Sequence, residues 1–475
     1  MSLKFGTSGI RGLATDLTDE ACGQFAEAFL RHYENRRCES LSGTPKKCLI
    51  AGDLRESTPR ILAAISEGLI RAGYSPVLTG TVPTPALAYG CLKLGIPGIM
   101  VTGSHIPADR NGIKFYFPWG EILKEDEAGI LEQKANLGST SPARPQLPVE
   151  TWDAEAAYLM RYLEAIPVNA LSGLKIAFFE HSSVARSVFP KILSALGAEV
   201  ICFGSSDTFV PVDTEALDRV EWLANQVRRY QAHCLLSTDG DGDRPLFLDE
   251  TGEVVRGDQL GIIGAKLLDA DSVSTPLSSS TALEALGGFQ EVRRCKIGSP
   301  FVIAAMKAAI TAGMKRVVGF EANGGFLVGT EFQLGGKEPL AALPTRDSVL
   351  PALLTLMQSK LSQQSVSQTI ANLPARFVES CLIRPFPVEA SASVLKRLAE
   401  GGLPYFSEYW GGQLGPAVEV NTLDGVRVTF QQGDILHFRP SGNAPEFRIY
   451  TESDSVSRAR HLASLAEKWQ ILLEF

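Results

Sequence analysis

Three aspartates alternate with two glycines in Ser237-Thr238-Asp239-Gly240-Asp241-Gly242-Asp243-Arg244, directly after the apolar run Cys234-Leu235-Leu236. Carboxylates spaced this closely repel one another unless a cation lies between them. Three one-oxygen ligands suit a hard divalent ion such as Mg²⁺ and leave positions for water or a phosphate oxygen. The competing reading is an exposed acidic turn, but the strict Asp-Gly alternation exceeds what a solvated turn needs. A calcium EF-hand is rejected. Glu250 does stand at the twelfth position, yet the sixth is Arg244 rather than glycine, and strands rather than helices are expected on either side.

A second stretch, Val101-Thr102-Gly103-Ser104-His105-Ile106-Pro107, follows the apolar run Gly95 to Met100. Gly103 lets the chain turn, so Ser104 is expected on a loop at the carboxyl end of a short buried strand, the edge where open α/β sheets bind ligands. Taken alone, Ser104 reads as turn chemistry, and its neighbour His105 does not by itself make a serine–histidine dyad. Three further loops carry usable groups. Phe5 to Gly12 packs three glycines around Arg11. Glu321-Ala322-Asn323-Gly324-Gly325 sets a carboxylate beside an amide, which suits either a pair of sugar hydroxyls or a capping turn. Arg439-Pro440-Ser441-Gly442-Asn443-Ala444-Pro445, with Arg448 following, suits a phosphate through charge-assisted bonds and backbone N–H groups. No G-x-S-x-G elbow, G-x-x-x-x-G-K-[ST] loop or helix-opening G-x-G-x-x-G is present.

The elements that must position these loops repeat. Strand Cys48 to Gly52, helix Arg60 to Ala72 stopped by Gly73 and strand Pro76 to Leu78 form one unit. Strand Leu174 to Phe179, helix Ala185 to Leu196 stopped by Gly197 and strand Glu199 to Phe203 form the second. Helix Phe301 to Ala312 stopped by Gly313 and strand Arg316 to Phe320 belong to the third. Copies more than a hundred residues apart imply three similar α/β domains with mixed, largely parallel sheets rather than a solenoid. Another helix is expected from Thr18 to Tyr33, capped by Thr18 or Asp19. The last hundred residues, with alternating strands at Val418 to Val420 and Val426 to Phe430, read as a small α+β domain. The expected divisions are 1–147, 148–257, 258–372 and 373–475. The clearest linker is Ser139 to Pro145, and another falls near Ala371 to Pro374.

A chain of 475 residues is too long for one core and suggests about three to five domains. Its 45% hydrophobic and 21% charged residues are those of an ordinary soluble protein. The net charge of −8 argues against a nucleic-acid binder built on a broad basic surface. Eight scattered cysteines without a C-x-x-C pair argue against a zinc ribbon or a disulfide framework and suit a reducing compartment. Neither a signal peptide nor a membrane-length apolar run is visible, so a cytoplasmic location without membrane partners is expected.

In this order, from Phe5 to Tyr450, the loops resemble the α-D-phosphohexomutase family, which includes phosphomannomutase, phosphoglucomutase and phosphoglucosamine mutase. The family's T-A-S-H-N-P pattern stands here as Thr102 to Pro107, and its N-G-x-K pattern as Asn111-Gly112-Ile113-Lys114. Its G-E-x-S-G-H sugar loop falls on Phe320 to Gly325, and its R-x-S-G-T-E-P phosphate loop on Arg439 to Pro445. Asn323 and Gly325 replace serine and histidine in the first of these loops. Asn443 and Ala444 replace threonine and glutamate in the second.

The resemblance implies four domains around a central cleft and interconversion of a hexose 6-phosphate with its 1-phosphate through phosphorylated Ser104. Mannose phosphate is the expected sugar, with glucose or glucosamine phosphate as alternatives. A non-catalytic sugar-phosphate-binding protein is the reading from another class. The resemblance also implies Mg²⁺ shared by Ser104, Asp239, Asp241 and Asp243, and a hexose 1,6-bisphosphate activator. Ser104, His105, Arg11 and Lys114 would act on the transferring phosphoryl group. Arg244, Glu321, Asn323, Arg439, Ser441, Gly442, Asn443 and Arg448 would bind the sugar phosphate. The expected assembly is a monomer or homodimer.

Overall fold

The computed structural model describes residues 3–6, 9–37, 43–138, 146–440 and 446–469. The expected linker Ser139 to Pro145 and the loop tip Ser441 to Pro445 lie outside the described residues. The chain forms two compact units. The first comprises Met1–Ser274, Phe289–Glu291 and Ser299–Ile370; the second comprises Thr275–Gly288, Val292–Gly298 and Ala371–Phe475.

All three helix–strand repeats contribute to the first unit. In the N-terminal repeat, strand Lys47–Gly52 pairs in parallel with Ser75–Gly80 on one side and Gly98–Val101 on the other. Helix Thr58–Arg71 connects the first two strands and begins with proline in its first turn, where no intrahelical N–H is needed. It buries Ile61, Leu62, Ile65 and Leu69, one apolar face at helical spacing. Helix Asp19–Arg36 packs beside it, and the Thr18 side chain accepts the Ala21 N–H as its cap. Its Phe29 and Tyr33 stack on Phe117, and Phe29 also packs against Phe115.

The second repeat departs from the expected continuous helix Ala185 to Leu196. A 3-10 turn, Val184–Arg186, precedes the α-helix Val188–Ala195. Pro190 is the reason: in a helix begun at Ala185 it would remove an interior hydrogen bond, whereas in one begun at Val188 it falls in the first turn. Strand Lys175–His181 pairs in parallel with Glu199–Ser205 and with Cys234–Thr238. In the third repeat, helix Ser299–Thr311 leads to strand Val317–Phe320, which pairs in parallel with Ser272 to Ser274.

One device recurs in all three sheets. The chain leaves the carboxyl end of a parallel strand, makes a loop and returns antiparallel to that same strand. Gly98–Val101 returns as Arg110–Phe117, Cys234–Thr238 as Pro245–Asp249, and Val317–Phe320 as Phe326–Val328. The three returning loops are those that carry Ser104, the aspartates and Glu321.

The second unit contains a five-stranded sheet whose neighbouring strands all run antiparallel, in the order Phe377–Ile383, Phe447–Ser453, Ile435–Pro440, Val426–Phe430, Ala417–Asn421. Helical residues of Val388–Leu414, interrupted at Gly402, and helix Val456–Glu467 cover it. They enclose a core that includes Phe406, Trp410, Phe438, Phe447 and Trp469. Among the described residues, no helix is long and apolar enough to cross a membrane.

Candidate active site

Ser104 is buried and holds a left-handed backbone conformation, φ 55°, which costs a non-glycine residue about 1–2 kcal/mol. The surroundings hold it there. Its N–H donates to Thr102 Oγ1 at 2.8 Å, and Thr102 Oγ1 donates to Asp53 Oδ2 at 2.8 Å. The buried Arg55 donates to four carbonyls of the loop and its return: Ser104 at 3.0 Å, Ile106 at 2.6 Å, Pro107 at 2.6 Å and Arg110 at 2.9 Å. Its Nε lies 3.1 Å from Asp53 Oδ2, and its guanidinium sits 3.9 Å from the centroid of the Phe209 ring. Sequence reasoning passed over Asp53, Arg55 and Phe209. The available signal was an Asp-x-Arg triplet at the carboxyl end of a buried strand.

The aspartate loop closes directly onto this serine. Ser104 Oγ donates to Asp239 Oδ2 at 2.6 Å, while Asp239 Oδ1 accepts the N–H groups of Asp243 and Arg244 at 3.2 Å each. Gly242 has φ 72°, and a β-carbon on Gly240 would come within 2.9 Å of the Ser104 carbonyl, so the alternation follows from backbone geometry. Thr84, at the start of helix Thr84–Leu94, donates to Asp241 Oδ2 at 2.7 Å.

One carboxylate oxygen from each aspartate can be chosen so that the three lie within 4.8 Å of one another. Asp241 Oδ1 and Asp243 Oδ1 are buried without a hydrogen-bond partner. Two orphaned anionic oxygens beside a serine hydroxyl fit an oxygen-seeking divalent cation, because burying them unmatched is costly.

Cations surround the aspartates. Lys114 Nζ lies 2.6 Å from Asp241 Oδ2 and 2.8 Å from Asp243 Oδ2. It stands on strand Arg110–Phe117 opposite Met100, and alternation turns Ile113, Phe115 and Phe117 into the core. Arg346 Nη2 lies 2.8 Å from Asp243 Oδ2, and Arg244 Nε lies 3.8 Å from Asp243 Oδ1. Arg11 is paired with Gly112 across the neighbouring strand, and burial together with Arg244 and Arg346 lowers its pKa to about 10.

The carboxylates respond in opposite directions. Burial would raise Asp243, but Arg346, Lys114 and Arg244 hold it well below the usual range. Burial and repulsion from Asp241 and Asp243 push Asp239 well above it. Burial would lower Lys114, but Asp241 and Asp243 more than reverse this, so it stays charged.

His105 Nδ1 is 3.3 Å from Ser104 Oγ and 3.0 Å from Arg244 Nη1. Arginine only donates, so this nitrogen is the acceptor and Nε2 carries the proton. Burial, Arg244 and Arg11 depress the imidazole pKa to about 2, leaving it neutral. Asp239, at 2.6 Å against 3.3 Å for His105, is the closer partner for the serine proton.

The sugar-loop residues lie in the same unit. Glu321 is buried, with Oε2 3.4 Å from Arg346 Nη1. Asn323 Oδ1 accepts the Gly325 N–H at 3.0 Å, closing an Asx turn. Arg439 and Arg448 belong to the second unit, opposite one another on adjacent strands, and Arg439 Nε donates to Asp424 Oδ2 at 3.0 Å. Ser441, Gly442 and Asn443 lie outside the described residues. The site thus unites Ser104, His105, Lys114, Arg244 and the aspartates by direct contact, and Glu321 joins them through Arg346, which sequence reasoning missed.

Three family descriptions, phosphoglucomutase/phosphomannomutase alpha/beta/alpha domains I, II and III, match residues 2–140, 156–252 and 256–377. The chain is 42% identical to a phosphomannomutase of Sinorhizobium fredii over 97% of each chain. It is 41% identical to a phosphomannomutase of Salmonella muenchen, with 95% of this chain and 92% of the relative covered. Its fold is similar to a crystal structure of a phosphoglucomutase/phosphomannomutase family protein from Burkholderia thailandensis, with a TM-score of 0.75, 19% identity, and 96% and 95% of the two chains covered. Identity of this extent over nearly the whole chain, together with the three domain matches, shows that the chain belongs to the α-D-phosphohexomutase family.

Proposed function

We propose that the protein is a phosphomannomutase, interconverting mannose 6-phosphate and mannose 1-phosphate through phosphorylated Ser104 and a hexose 1,6-bisphosphate. The observation that carries this reading is Ser104 Oγ, 2.6 Å from Asp239 and beside two orphaned aspartate oxygens, inside a ring of Lys114, Arg244 and Arg346. A phosphoryl group on that oxygen would be met by cations on several sides, and charge stabilisation is the main task in phosphoryl transfer. Mg²⁺ is the proposed ion. When bound to Asp239, Asp241 and Asp243 it supplies Lewis-acid stabilisation of the transferring group.

The residues divide the remaining work. Asp239 holds Ser104 Oγ through a 2.6 Å hydrogen bond, so its carboxylate is the acceptor that the serine proton meets. When a sugar hydroxyl attacks phosphorus, the P–Oγ bond breaks and the hydroxyl proton ends on Oγ, which then donates to Asp239. Glu321 and Asn323 are assigned the sugar hydroxyls. Arg439, Ser441, Asn443 and Arg448 are assigned the phosphate that does not react. The division at 147, 257 and 372 is retained as one phosphoserine, one metal, one sugar and one phosphate domain.

A coupled assay with mannose, glucose and glucosamine 1-phosphates, each primed with a trace of hexose 1,6-bisphosphate, tests the proposal. The highest kcat/KM is expected on mannose 1-phosphate, with negligible release of inorganic phosphate. Stoichiometric phosphate release would identify a hydrolase, and binding without turnover a sugar-phosphate-binding protein.

A further inference from the structure

The sugar loop ends in Gly325 where the family pattern has histidine, and the reason lies on another strand. A β-carbon placed on Gly325 would stand 2.5 Å from Cγ, 2.6 Å from Cδ and 2.9 Å from Cβ of Arg346. Real β-carbons do not approach other heavy atoms so closely, and this arginine has little freedom to yield. It is buried on strand Leu343–Asp347, with Nη2 2.8 Å from Asp243 Oδ2 and Nη1 3.4 Å from Glu321 Oε2. The stem of Arg346 therefore occupies the ground that a loop side chain would need.

Its two ends serve different loops. On the aspartate loop, Arg346 and Lys114 share Asp243 Oδ2, which leaves Oδ1 as the oxygen without a hydrogen bond. On the sugar loop, Arg346 engages Glu321 Oε2. A planar guanidinium can serve two carboxylates in two directions at once; a lysine ammonium on a flexible stem cannot reproduce that fork.

We propose that Arg346 is a positioning residue, setting the Glu321 carboxylate for the sugar and the Asp243 carboxylate for the metal from one guanidinium. The inference rests on the mutase reading above. It ties Gly325 to Arg346, because the arginine stem fills the space that a side chain at 325 would need. It also makes the arginine a competitor of the metal ion for the charge of Asp243.

Three measurements on the full-length protein test it. Calorimetric titration of Mg²⁺ alone into chelator-treated protein should give a Kd about tenfold lower for Arg346→Met than for wild type, since a neighbouring positive charge is lost. Arg346→Lys, which keeps the charge, should leave that Kd within about twofold of wild type. Structural damage would instead weaken Mg²⁺ binding in both variants.

In steady-state assays Arg346→Lys should raise KM for the hexose phosphate roughly tenfold with a smaller fall in kcat, because Glu321 loses its partner while the charge beside Asp243 remains. This arm also serves if Arg346→Met does not fold. In thermal unfolding, Gly325→Ala should lower Tm by roughly 3–6 °C, and by less than about half of that in an Arg346→Ala background. Equal costs in the two backgrounds, an Mg²⁺ Kd within about twofold of wild type in Arg346→Met, or a KM within about twofold of wild type in Arg346→Lys, would overturn the proposal. Wild-type protein that turns over no hexose phosphate would instead sink the mutase reading, with the calorimetric and thermal arms still deciding the place of Arg346.

Discussion

The serine loop and the sugar loop are built alike and braced differently. Each leaves the carboxyl end of a buried parallel strand and returns antiparallel to it. Each is backed by a buried arginine from outside the loop. Arg55 grips the serine loop through backbone carbonyls, which every residue type offers, and a β-carbon on Gly103 would stand 2.6 Å from its guanidinium carbon. Arg346 grips side-chain carboxylates and fills space against Gly325. Each brace demands a glycine beside it, but one sets a backbone and the other sets carboxylates.

The largest effect is expected at the serine itself. Ser104→Ala should reduce mutase turnover by on the order of 10⁴-fold while the protein remains folded, read in the coupled assay and by circular dichroism. Chelation should follow. Removing divalent ions is expected to cost at least about 10²-fold in turnover, restored by Mg²⁺. Activity that persists in chelator would refute a metal role for the aspartates.

Arg55→Met probes the backbone brace. It removes one donor from each of four carbonyls and leaves the buried Asp53 without its ion-pair partner, a loss of about 3–5 kcal/mol in urea unfolding. Turnover should drop roughly 10–100-fold as the left-handed Ser104 relaxes. KM should move less than it does in the Arg346 variants.

Acid should loosen the base of the aspartate loop. Burial keeps His181, whose Nε2 meets the Thr238 carbonyl at 2.9 Å, neutral with a pKa of about 4 against 6.5 for a free imidazole. The unfolded chain takes up this proton first, so the contribution is full above pH 6.5 and is lost as pH falls from there towards 4, by about 1.4 kcal/mol per unit. Urea midpoints across that window, compared with those of His181→Asn, would reveal the missing slope.

The smallest effect belongs to Asn323→Ser, which restores the family residue but shortens the Asx turn. A stability loss of about 1 kcal/mol and a change of a few-fold in KM are expected, with kcat nearly unchanged.

What the sequence determined by itself was the local grammar. Apolar runs, glycine stops and capping residues placed the three repeats, because strand and helix periodicity are properties of neighbouring residues. The Asp-Gly alternation pointed to a site that could hold a cation, because carboxylates so close along the chain cannot separate. Where a local rule competed with a nearby residue, as at Pro190, the expected helix split in two. Only the tertiary structure decided how Ser104 is held and why Gly325 is a glycine. Arg55 lies 49 residues before the serine whose carbonyl it holds, and Arg346 lies 25 residues beyond Glu321. No pattern along one stretch of chain records a partner brought in from another strand. Burial then turns these distant contacts into strong ones, because in a water-poor interior each carbonyl or carboxylate needs a donor and each charge its counter-charge.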